Sequence, residues 1–129
     1  MGILSPLLAT RDMKKTLEFY ERVLSFKVGS VIPDAANPEE YADFSKDGMI
    51  IMFVPASALK IGRRDKLGAG VNLYLQIDAD VDNYYIDLIH KGVKVTSEIK
   101  DQPWGSREFT IQDNNGYILT FSQPSKKKG

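Results

Sequence analysis

The chain of 129 residues contains no cysteine, which excludes a disulfide framework, a zinc knuckle and a thiol nucleophile. Histidine occurs once, at His90, so a histidine-based metal centre is out of reach and no Ser-His-Asp set is legible around it. Charge of one sign is also missing: Lys+Arg and Asp+Glu both number 17, and the basic footprint that phosphate backbones require is absent. No glycine-rich phosphate loop stands at a strand-helix junction. The apolar run "ILSPLLA" is short and interrupted by Pro6. Neither a signal peptide nor a membrane span is expected, and the expected compartment is the cytoplasm. Tryptophan occurs once, at Trp104, inside the turn-like Gln102-Pro103-Trp104-Gly105.

What is present is ordinary in amount and regular in order. Hydrophobic residues make up 43% and charged residues 26%, the balance of a soluble globular domain. The pattern runs twice through one unit. An apolar run, Ile3 to Ala9, is followed by Asp12, a good N-cap, and by "MKKTLEFYERVL", whose Met13, Leu17, Tyr20 and Leu24 share a helical side. Three strand-like segments follow, "KVGSVI", "YADFS" and "MIIMFV". The second copy opens with "VNLYLQI", places Asp80 as cap of "VDNYYIDLIHK", stops it at Gly92, and continues with "VKVTSEI", "REFTIQ" and "YILTFSQ". The expected layout is repeat one over about 3-54, a connector over about 55-70, repeat two over about 71-123, and a single domain over 1-124 with a disordered tail at 125-129. Aligning Gly48 with Gly116 matches Met52 to Thr120; matching aromatic to aromatic sets Phe44 against Phe109 and makes Asp43 and Glu108 equivalent.

Alternation sorts the faces. Leu73, Leu75 and Ile77 point one way and Asn72, Tyr74 and Gln76 the other; Phe109 and Ile111 oppose Glu108, Thr110 and Gln112; Phe44 opposes Tyr41, Asp43 and Ser45. The polar face either meets water or, in a curved sheet, lines a ligand cavity. Trp104 is a stacking surface at the mouth of such a cavity or an aromatic that shields a sheet edge. Asp43 and Glu108 would hold a cationic ligand or share proton transfer, or are solvated acids.

"TRDMKKTLEFYERVLSFKV" and "PWGSREFTIQDNNGYILTFSQ", at this spacing within a βαβββ repeat, resemble the opening and closing motifs of the vicinal oxygen chelate superfamily, the glyoxalase/bleomycin resistance/dioxygenase proteins. Ser25 stands where the family usually has glycine. The resemblance implies an α+β fold, two βαβββ repeats forming an open U-shaped mixed sheet around a cavity, often completed in a homodimer. The family's enzymes hold a divalent metal with His and Glu from four strand positions. Carried over by the motifs, these are Ser5, Met52 (with Ile51 the alternative), Asn72 and Thr120, a set without charge or imidazole. A purely carboxylate metal site stays open, although no pair of acids falls at those positions. His90, in the last turn of its helix, suits the negative end of the dipole.

The function expected on these grounds is metal-independent binding of a small molecule, antibiotic sequestration included, with no cofactor, no nucleic-acid or membrane partner, and a homodimer as the working form. The expected ligand-binding residues are Trp104, Glu108, Asp43, Tyr41, Tyr74, Gln76, Asn72, Thr120 and Met52. The alternative is an atypical lyase, isomerase or dioxygenase of the same superfamily.

Overall fold

The computed structural model describes residues 2–126 and divides the chain into two compact units, 1–67 and 68–129. In unit one, strand β1 (Leu7–Thr10) leads into helix α1 (Met13–Glu18), which continues as a π-helical turn, Phe19–Val23. Strands β2 (Lys27–Asp34), β3 (Asn37–Lys46) and β4 (Met49–Pro55) complete a sheet of order β1-β4-β3-β2. In unit two, β5 (Asn72–Gln76), helix α2 (Val81–His90), β6 (Lys94–Asp101), β7 (Ser106–Gln112) and β8 (Ile118–Pro124) repeat the plan in the order β5-β8-β7-β6. β1 lies parallel to β4 and β5 to β8, while the other neighbours are antiparallel. The fold is α+β, with the βαβββ repeat.

Both helices begin where their caps predict. Asp12 accepts from the Lys15 amide at 3.0 Å, and Asp80 accepts from the Asp82 and Asn83 amides at 2.9 and 3.1 Å, satisfying donors that a first turn leaves orphaned. Both leave through a left-handed residue, Ser25 (φ 61°) after α1 and Gly92 (φ 76°) after α2. That conformation explains why glycine is usual at the first exit: a Cβ there crowds the following carbonyl. The Asp113-Asn114-Asn115-Gly116 motif is likewise a turn device. The Asp113 side chain accepts from the amides of Asn115 and Tyr117, both at 2.8 Å, and Gly116 takes φ 100°.

The core of each unit is the helix-facing side of its sheet. α1 packs on β3 and β4 and α2 on β6, β7 and β8. Tyr20, Phe26, Phe44 and Phe53 interlock in unit one; Tyr84, Tyr85, Phe109 and Phe121 do so in unit two. The first apolar run forms less strand than expected. Only Leu7–Thr10 is strand, with the Pro6 carbonyl before it accepting from the Met52 amide at 2.9 Å, and Ile3 and Leu4 are almost fully exposed. The connector is not featureless: Ala56–Leu59 makes a 3₁₀ turn, and Arg11 Nη2 donates to the carbonyls of Gly62 and Asp65, each at 2.7 Å. Within the tail expected at 125-129, the Ser125 amide donates to the Gly105 carbonyl at 2.9 Å; residues 127-129 lie outside the described residues.

The strand register corrects one equivalence. Asp43 pairs with Met52 and Phe44 with Ile51, whereas Thr110 pairs with Thr120 and Ile111 with Leu119. With Met52 matched to Thr120, the partner of Asp43 is Thr110, and Glu108 stands where unit one has Tyr41. Matching phenylalanine to phenylalanine fails because the bulky core position has moved by two residues along the strand. Ala42 and Phe44 in unit one correspond to Phe109 and Ile111 in unit two.

Candidate functional site

The polar face of the second sheet gathers the chemistry. Glu108, on β7, is only 7% exposed. A carboxylate so buried needs hydrogen-bond donors, since desolvating an anion without them is costly. Two hydroxyls supply them. Tyr74, reaching over from β5, donates its hydroxyl to Glu108 Oε2, and Ser106 donates to the same oxygen at 2.9 Å. The two hydroxyls also lie 3.0 Å from each other. On β8, between the two strands, Thr120 stands opposite Tyr74 and the fully buried Ser122 opposite Glu108. Both donors converge on Oε2. No side-chain oxygen among the described residues is both buried and unpartnered, so Oε1 keeps contact with solvent.

A second, uncharged chain of bonds lies alongside. Thr120 Oγ1 donates to Asn72 Oδ1 at 3.1 Å and lies 2.8 Å from Thr110 Oγ1. In unit one the polar face carries Asp43. Its Oδ1 accepts from the Ser30 amide at 3.1 Å and its Oδ2 from the Tyr41 hydroxyl at 2.9 Å. Gly29 makes room for this, because a Cβ there would stand 2.0 Å from Asp43 Oδ1. Burial, followed by the hydrogen bond to Asp43 and the charge of that carboxylate, raises the Tyr41 pKa above its ordinary value.

Of the expected residues, the structure therefore joins Tyr74 to Glu108, Asn72 to Thr120 and Tyr41 to Asp43, with Met52 opposite Asp43 across the β3–β4 ladder. Gln76 is exposed at the end of β5. Trp104 is 66% exposed on the β6–β7 turn, which is closed by the Gln102 amide on the Ser106 carbonyl at 2.7 Å. Ser106 and Ser30 were not anticipated. Ser106 was legible in principle, since it lies two residues before Glu108 and so on the same strand face. Ser30 was not, because it acts through its backbone amide. Arg107 points to the helix side, where its Nε and Nη2 grip Asp82 at 2.7–3.1 Å. The hydrogen bonds from Arg107 are the main reason the Asp82 carboxyl lies below its usual range.

The four positions that bind metal in the superfamily's enzymes do not fit a divalent ion. Ser5 and Met52 offer a hydroxyl and a soft thioether, while the Asn72 and Thr120 oxygens bond to each other. Among the described residues, no group of three or more His, Asp or Glu could hold a metal ion. A pocket of about 440 Å³ exists elsewhere in unit one, between the start of α1 and the β2–β3 turn. None of the expected ligand residues lines it.

A sequence model of the Glyoxalase/Bleomycin resistance protein/Dioxygenase superfamily matches residues 2–121. The chain belongs to that superfamily. Solved structures agree on the fold. The chain is similar to TioX from Micromonospora sp. ML1, with 20% identity, 99% of this chain and 100% of that one covered, and a TM-score of 0.76. It is similar to a glyoxalase/bleomycin resistance protein/dioxygenase from Nocardioides, with 20% identity, 99% and 86% coverage and a TM-score of 0.76. It is also similar to an integron cassette protein from the mobile metagenome of V. cholerae, with 18% identity, 95% and 96% coverage and a TM-score of 0.69. No curated protein matches the chain. Among the described residues no helix is long and apolar enough to cross a membrane.

Proposed function

We propose that this superfamily member binds a small organic molecule without the help of a metal ion, and that sequestering such a molecule, an antibiotic among the candidates, is its role. The observation that carries the reading is Glu108: a buried carboxylate on an otherwise neutral polar face, fixed by Tyr74 and Ser106 through one oxygen and open at the other. Preplaced polar groups of this kind orient a ligand, and apolar or aromatic surface beside them supplies affinity. Trp104, rigid on a closed turn and 66% exposed, supplies such a surface at low entropic cost. Its exposure speaks against the edge-shielding role.

Because Trp104 is the only tryptophan, its fluorescence reports one place. Bleomycin-like glycopeptides and aromatic antibiotics are the first probes. A ligand that binds should quench or shift the emission, and Trp104→Ala should weaken binding about fivefold, since aromatic stacking contributes on the order of 1 kcal/mol beyond area burial. Unchanged affinity with a lowered melting temperature would return Trp104 to a packing role. A homodimer is the proposed working form, because each sheet has two edge strands, β1 and β2 or β5 and β6, and paired copies cover edges. A monomer by light scattering at micromolar concentration would refute that part.

A second reading, as an enzyme without metal, draws on the Tyr74–Glu108 contact, which is a ready hydroxyl–carboxylate relay. In that case Tyr74→Phe abolishes turnover of a bound compound and leaves its dissociation constant unchanged.

A further inference from the structure

Glu108 poses a charge problem that its own unit does not solve. Tyr74 and Ser106 stabilise the carboxylate but bring no positive charge. Arg107, next in sequence, is turned to the other face and committed to Asp82, with Asp101 3.5 Å from its Nη1. Lys100 is the cross-strand partner of Glu108, yet it is exposed and forms no ion pair with it. Of the other residues on that face, Thr110, Thr120 and Asn72 satisfy one another with neutral bonds, and Ser122 and Gln76 carry no charge. A buried anion with hydroxyl donors and no cation is an arrangement that a positively charged group completes, through a charge-assisted hydrogen bond on the free oxygen.

Resting on the small-molecule reading above, we infer that the ligand is an organic ammonium compound, a protonated amine or amidine on an apolar body, whose N–H groups dock on Glu108 Oε1. The geometry assigns each part a task. Tyr74 and Ser106 hold Oε2 and so aim Oε1 outward. The half-exposed Tyr74 ring offers a π-face beside the same carboxylate, and aromatic faces attract cations. An anionic ligand would meet repulsion at this point, and a neutral one would leave the carboxylate uncompensated.

The test uses three probes of one shape on the full chain: 2-phenylethylamine, 2-phenylethanol and phenylacetate, cationic, neutral and anionic in turn. Each is titrated into isotope-labelled protein while the backbone amides of Tyr74, Ser106 and Glu108 are followed. The amine should shift these amides with a dissociation constant about tenfold below that of the alcohol, and phenylacetate should bind weakest. Glu108→Gln, nearly isosteric, should bring amine and alcohol within about twofold of each other. The comparison on the unmodified protein stands even if that variant folds poorly. Binding of the alcohol to these amides as tightly as the amine, or an amine preference that survives Glu108→Gln, overturns the inference and leaves the small-molecule reading standing. If none of the probes shifts an amide of unit two up to about 10 mM, a concentration that detects even very weak complexes, both readings fall.

Discussion

The two units match in the make-up of their separate cores and differ on the polar face. Taking Met52 with Thr120 as the reference, Leu7, Tyr41 and Asp43 in unit one stand where unit two has Tyr74, Glu108 and Thr110. In unit one the half-buried carboxylate has one donor on each oxygen, and one of those donors is a backbone amide. In unit two both donors crowd one oxygen and the other is left open. The same ladder thus spreads the donors over both oxygens of the acid in one copy and gathers them on one oxygen in the other. What decides between them is which strand the tyrosine comes from. Tyr41 lies on the strand of its acid, two residues away, and Tyr74 lies two strands away, across β8.

The helices are docked differently as well. Thr16 of α1 is fully buried and its hydroxyl lies 2.8 Å from that of Thr10, a neutral contact. α2 is held by Arg107, whose guanidinium grips Asp82 in the first turn of the helix.

The largest effect should fall where the units agree. Phe53 and Phe121 occupy equivalent positions, and both are fully buried among aromatic rings. Phe53→Ala and Phe121→Ala should each cost about 3–5 kcal/mol in chemical denaturation. Costs that differ by more than about 2 kcal/mol would break the picture of matched cores, since the spread among similar sites is about that size.

A smaller effect should separate the units by pH. The hydrogen bonds from Arg107 lower the Asp82 carboxyl below the ordinary 3.8. Its contribution is therefore fully present above that value and lost as pH falls through the depressed one. Both partners are partly solvent-exposed, so Asp82→Asn should cost at most about 1 kcal/mol at neutral pH. The gap from the unmodified protein should close as pH falls through that depressed value, where the Asp82 carboxyl is protonated in the folded and the unfolded chain alike. Hydrogen exchange should show acid loosening α2 before α1. Equal loosening of both helices would mean that the ion pair does not hold α2.

The smallest effect concerns the helix exits, Ser25 and Gly92. Ser25→Gly should relieve a left-handed serine and raise stability by about 0.5 kcal/mol, the difference between the Cβ penalty and the extra chain entropy of glycine. A lowered melting temperature would show that the Ser25 side chain stabilises the turn by more than its backbone costs.

Much of this architecture is determined by local sequence. The caps at Asp12 and Asp80, the stop at Gly92, the Asp113 turn and the alternation of Leu75, Phe109 and Leu119 each depend on residues a few positions apart, where spacing alone dictates which groups meet. The same alternation put Tyr74 and Glu108 on one face. It carried no information on whether they touch, because they are 34 residues apart and the contact depends on parallel pairing of β5 with β8 and antiparallel pairing of β8 with β7. Register was the other quantity beyond local reading: residue type made Asp43 and Glu108 look equivalent, and only the hydrogen-bonded ladder paired Asp43 with Met52 and Thr110 with Thr120. Local periodicity chooses the face a side chain occupies, while its neighbours on that face come from strands far away in the chain, and those are chosen only when the sheet closes.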